Sequence, residues 1–170
     1  MNASFFIRLK AFGVDYILIA LYLIFLLTIG VFLFPNPQSL ISDSFIKSQI
    51  FSFLILTLPV SLYFIIFDSS LGKQTVGKRL LGIQVVNQHG APLSIKRSII
   101  RTSLKFLPWE LSHFLVYRFV YVPEQDWTIY VYLVMFLTYG LIFIYLLTAI
   151  FTKHKQSLYD LLTKTEVIKK

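Results

Sequence analysis

Few residues here could do chemistry, and most of those lie inside apolar stretches. Asp15 is the only charge in the run from Val14 to Phe34. Arg8 precedes it by two helical turns, about 10.5 Å along a helix axis and on the same face, with small Ala11 between them. Arg101, Lys105, Glu110 and His113 share a later stretch. A charge at the bilayer centre costs about 2.5–3.5 kcal/mol on insertion scales. Asp15 should therefore face other helices and find a partner, with Arg101 and Lys105 as first candidates. Functionally, this is the chemistry of an ion or proton site, where burial and a basic neighbour act on a carboxyl in opposite directions. Structurally, it is a satisfied helix–helix ion pair that fixes packing. Glu110 and His113 lie three residues apart. They could relay protons or close a polar interior with one hydrogen bond, and they are too few for a metal site.

Other chemistries are missing. The chain has no cysteine, which removes disulfides, thiolate metal sites and cysteine nucleophiles. His89 and His154 stand in polar segments and point to nothing. Gly72-x-x-x-x-Gly77-Lys78 matches a Walker A loop, but Arg79 follows where the magnesium-holding Ser or Thr belongs. The strand-like residues 83–86 also come after this loop, whereas a P-loop follows a strand. No nucleophile–base–orienter set and no complete metal motif is visible. The expectation is no enzyme, no cofactor, no metal and no nucleotide.

These residues need a membrane around them. Of 170 residues 56% are hydrophobic and only 14% charged, against roughly 25% charged in an average soluble domain. With a mean hydropathy of +0.73, a soluble domain of this size could not hide its apolar surface, and disorder is excluded. A crossing takes about 20 apolar residues. Residues 14–34, 50–67 and 127–152 qualify. Pro35-Asn36-Pro37 ends the first run, which is too long for a signal-peptide core and is read as an uncleaved helix. Pro59 should kink the second and free a carbonyl that needs a partner inside a bundle.

The stretch 98–122 is polar enough to hide from hydropathy, and charge parity exposes it. Arg8 and Lys10, the basic segment 68–97 and the basic tail 153–170 should all be cytoplasmic. An even number of crossings must then separate segment from tail, which makes 98–122 the partner of 127–152. On a helical wheel Ser98, Arg101, Thr102, Lys105, Trp109, Ser112 and His113 share one arc. An amphipathic helix lying flat at the interface has the same pattern, and Pro108 could break it in the middle. The net charge of +8 then mostly sets orientation. Tyr117, Tyr121 and Trp127 read as anchors at the outer boundary.

Three blocks resemble one family. Arg8-Leu9-Lys10-Ala11-Phe12-Gly13-Val14-Asp15 resembles the R-x-x-A-x-x-x-D opening of the RDD family of bacterial membrane proteins. Gly72, Thr75, Gly77, Lys78, Arg79, Gly82, Val85, Val86 and Gly90 are similar to its G-x-x-T-x-G-K-R-x-x-G-x-x-V-V-x-x-x-G loop. Leu158-Tyr159-Asp160 with Thr165-Glu166-Val167 resembles its C-terminal L-x-D and T-x-V. Asn87 departs from the pattern, standing where the loop often has an acid, and the stretch from Pro108 to Arg118 is longer than a minimal member needs. The resemblance implies that Arg8, Asp15 and Asp160 are the arginine and two aspartates of the name. It further implies a multi-pass protein of the bacterial cell membrane that transports an ion or small ligand of unsettled identity.

The expected fold is therefore an all-α, four-transmembrane-helix bundle, one membrane domain over residues 1–170 with both termini cytoplasmic. Segment 68–97 should carry a short hairpin, turning at Asn87–Gly90, with Ser94 capping the third helix. Lys78, Arg79, Lys96 and Arg97 should lie at the membrane surface, attracted by anionic lipid. Leu158 to Leu162 with Ile168 should form a short amphipathic helix that brings Asp160 to Arg8 or to the basic loop. The expected partners are the bilayer and either a second membrane protein or further copies of the chain, with no nucleic acid. The alternative to transport is a membrane subunit that binds or regulates such a partner.

Overall fold

A computed structural model describes residues 2–33 and 44–170. The elements in order are α1 (Phe5–Leu33), α2 (Phe45–Ser52), a π-helical turn (Phe53–Thr57), α3 (Leu58–Asp68), α4 (Val76–Leu80), β1 (Ile83–Asn87), α5 (Ile95–Tyr121), α6 (Ile129–Phe151), α7 (Leu158–Thr163) and β2 (Thr165–Lys169). Among the described residues three helices are long and apolar enough to cross a membrane: Phe5–Leu33, the continuous Phe45–Asp68, and Ile129–Phe151. The first two start before the apolar runs at 14 and 50, because the amphipathic turns ahead of each run continue the same helix. The expected stop at Pro35–Pro37 lies outside the described residues.

α5 packs against α3 and α6 and is one helix from Ile95 to Tyr121, capped by Ser94, whose hydroxyl accepts from Arg97 N. It is not broken at Pro108. Proline lacks the N–H that would serve the carbonyl four residues earlier, and the Tyr145 hydroxyl donates to that carbonyl, Leu104 O, at 2.6 Å instead. Pro59 is handled alike: the orphaned carbonyl of Ile55 accepts from Tyr22 Oη at 2.6 Å. Two tyrosines on neighbouring helices thus let two long helices carry proline without leaving a bare carbonyl.

The expected hairpin is replaced by a longer-range pairing. β1 pairs antiparallel with β2 of the tail, Val85 opposite Val167 and Asn87 opposite Thr165. The turn at Asn87–Gly90 does form, with Asn87 Oδ1 accepting from His89 N and Ala91 N. After it the returning segment gives β1 one bridge, Val86 to Pro92, while its Leu93 bridges to Ser69. Pro92 has no N–H for a ladder, whereas Thr165 and Val167 supply alternating buried side chains. Ile168 belongs to this strand and not to α7. Ala3 N donates to Val167 O at 2.8 Å, so the N-terminus, the 68–97 segment and the tail meet at one end around a core of Ala3, Ala11, Ile83, Val85, Leu93 and Val167.

Candidate functional site: an ion network beneath the helices

The charged residues gather at that same end. Asp15 is buried on α1, but neither Arg101 nor Lys105 is its partner. Its Oδ1 accepts from Tyr63 Oη and from Gly77 N, each at 2.8 Å, and its Oδ2 accepts from Thr75 Oγ1 at 2.7 Å. α4 explains the change of partner. Thr75 is its N-cap, accepting from Lys78 N, and the helix lies so close to α1 that a Cβ on Gly77 would stand 2.0 Å from Ala11 O. Small Ala11 and side-chain-free Gly77 let α4 put its first turn onto the carboxylate. The positive end of a helix and two hydroxyls replace the expected cation.

Arg101 goes elsewhere. Its Nη1 donates to Asp68 Oδ2 at 3.0 Å, and its Nε donates to Asp160 Oδ1 at 2.9 Å. Asp68 also receives Lys78 Nζ, and Asp160 receives the Arg8 guanidinium, which further donates to Lys155 O. The result is an alternating chain, Arg8–Asp160–Arg101–Asp68–Lys78, that links α1, α7, α5, α3 and α4. Both carboxylates are at most 1% exposed. Asp160 also caps its own helix by reaching back to Ser157 N, and accepts from Thr165 Oγ1 at 3.2 Å. Burial alone would raise the Asp160 carboxyl, but the Arg101 and Arg8 charges outweigh it and hold it below the usual carboxylate range. Burial holds the Lys78 ammonium below the usual lysine range, against the pull of Asp68.

Sequence reasoning missed Asp68, which joins two cations of the network. The available signal was that Asp68 is the one acid among the five bases of segment 68–97. Lys78, expected at the membrane surface, is instead buried in the network, while Arg79 beside it is exposed. The remaining motif residues shape the loop: a Cβ on Gly72 would stand 2.6 Å from Phe67 Cα, and Gly82 and Gly90 take positive φ in turns.

Lys105 is handled differently from the other cations. Its ammonium lies over the Phe64 ring, 3.5 Å from the centroid, with Phe12 and Phe106 at 5.1 and 5.2 Å. Beside it is a cavity of about 160 Å³ whose lining includes Arg8, Asp15, Lys78, Arg101 and Lys105. A second cavity, of about 210 Å³, lies between α1 and α3 and is lined by Tyr22, Pro59 and Tyr63 among others. Glu110 and His113 stand apart from the network, near the middle of α5. Glu110 accepts from Thr57 Oγ1 in the π-helical turn, and His113 Nδ1 is 3.5 Å from Glu110 Oε1. No group of three or more His, Asp or Glu able to hold a metal occurs among the described residues.

Apolar helices of membrane-crossing length, tied at one end by a buried ion network and a two-stranded sheet, define a polytopic membrane protein. The RDD family model matches residues 2–164, nearly the whole chain. The chain belongs to the RDD family. No curated protein and no solved structure matches it.

Proposed function

We propose that this protein is a small carrier of the bacterial cell membrane, moving an ion or a proton-coupled solute, with α5 as its fourth, polar crossing. Strand pairing supports the fourth crossing. β1 and β2 lie side by side, so the chain between them crosses the membrane an even number of times, and α6 alone would be odd. The lysine and arginine excess at this end supports a cytoplasmic location for both termini.

The observation that carries the transport reading is Glu110. It is an ionisable group near the middle of α5, hydrogen-bonded to Thr57 and beside His113. Such residues inside a membrane mark ion and proton pathways by default, and π-helical turns are frequent at functional sites. Asp15 serves as a structural anchor in this scheme, since three donors already occupy it. The test is flux in proteoliposomes under an imposed pH gradient. Wild type should dissipate the gradient in the presence of a transported cation or solute, and Glu110→Gln should not. A wild-type protein that moves neither protons nor cations ends this reading.

One observation favours the alternative of a non-transporting membrane subunit. Over its 29 residues α1 buries only Ala11 and Asp15, which leaves its membrane face free for a helix of another protein or of a second copy. Site-specific cross-linking from Phe25 or Phe32, both exposed, should then trap a protein partner in native membranes; capture of lipid alone counts against it.

A further inference from the structure

We propose that the cavity at the network end is a binding site for an oxyanion of the phosphate class, with Lys105 as its ligand. The argument begins with charge. The network and its cavity combine four cations, Arg8, Lys78, Arg101 and Lys105, with three carboxylates, Asp15, Asp68 and Asp160. Arg8, Lys78 and Arg101 share Asp68 and Asp160. Both oxygens of Asp15 are taken by Tyr63, Thr75 and Gly77. Lys105 has no carboxylate within salt-bridge distance among the described residues, and its ammonium lies over the rings of Phe64, Phe12 and Phe106. By formal count one cation, Lys105, is therefore left without a carboxylate, at the wall of a cavity of about 160 Å³.

A monoanion neutralises that surplus, and the lining restricts its type. Arg8, Lys78 and Arg101 line the same cavity, and each has N–H hydrogens beyond those given to Asp68, Asp160 and the Lys155 carbonyl. A tetrahedral oxyanion, with several acceptor oxygens, matches such a set better than a spherical halide. Phe5, Leu9 and Phe12 of α1 make an apolar side to the same space, and Leu9 and Phe12 are exposed on the surface of a membrane-crossing helix. Two sources share this chemistry: free phosphate, and the phosphodiester of a lipid whose chains lie against α1.

Binding is read on the purified full chain without any flux, so its outcome is separable from that of the carrier reading. One arm titrates inorganic phosphate against chloride at constant ionic strength and follows the melting temperature. The other arm counts bound lipid by native mass spectrometry, phosphatidylglycerol against diacylglycerol, which lacks the phosphate. Stabilisation by phosphate alone assigns a free oxyanion, and retention of phosphatidylglycerol alone assigns a headgroup. Lys105→Met should weaken whichever is bound by about 10- to 100-fold, as expected for one hydrogen bond to a charged group, and Lys105→Arg should retain it. No response in either arm, or a folded Lys105→Met that binds like wild type, overturns the site. If that variant does not fold, the two wild-type arms decide alone.

Discussion

Asp160→Asn tests whether the ion network holds the fold together. Asp160 is 0% exposed and accepts from Arg8, Arg101, Ser157 N and Thr165. The asparagine keeps the shape, loses the charge and turns one acceptor oxygen into an NH2 donor, so one arginine keeps only a neutral oxygen and the other faces a donor. Removing one partner of a buried ion pair costs about 3–5 kcal/mol, mostly the penalty of stranding the other charge. For a chain of this size each kcal/mol shifts the melting temperature by about 2–4 °C. The expected drop is therefore about 6–20 °C, measured on the purified protein in one detergent. A double-mutant cycle refines the test. Arg101 is 3% exposed and Arg8 13%, so the Asp160–Arg101 coupling should exceed that of Asp160–Arg8. A drop under about 3 °C, or equal couplings, refutes the view that this network holds the tail.

Acid titration follows from the same residue: a carboxyl held low stabilises the fold above its unfolded value of about 3.9. That contribution disappears as pH falls through the lower folded value, and a melting curve against pH should lose this acid limb in Asp160→Asn. Gly77→Ala drives a methyl into Ala11 O, 2.0 Å away, and should cost about 1–3 kcal/mol, with limited proteolysis showing earlier cleavage in residues 69–82. Tyr145→Phe bares Leu104 O beside Pro108 and should cost about 0.6–2 kcal/mol in melting temperature. Tyr22→Phe should do the same for Ile55 O.

The three long apolar runs are legible in composition alone, and α5 is legible as a helix from its amphipathic wheel. The need for a partner at the carbonyl freed by Pro59 is also legible, but the identity of that partner is not. Tyr22 lies 33 residues away from Ile55, and nothing local distinguishes it from the other tyrosines. The same limit explains the partner of Asp15. A carboxylate near Arg and Lys reads as half of a salt bridge until α4 is known to lie on α1. Residues 83–86 read as a strand correctly, yet the better partner was the tail, about 80 residues downstream. Asp160 meeting Arg8 could be foreseen because both lie just outside apolar runs on the same expected side. Asp68 escaped because it looked like the end of a helix and not the centre of a charge balance.

The separation of Arg8 from Asp160, 152 residues, also bears on how the protein is made. At about 5–20 residues per second, the ribosome needs roughly 8–30 s between the two. Throughout that interval Arg8 lacks the carboxylate that it meets in the folded chain. Its counter-ion arrives only with the tail, and only on the correct side. On the reading proposed above, in which α5 crosses as well, a chain whose α5 or α6 fails to insert puts Asp160 across the membrane from Arg8 and Arg101. On that reading closure of the network ties topology to stability: such a chain is left with stranded charges and an unpaired strand, the features that mark a misassembled protein for degradation.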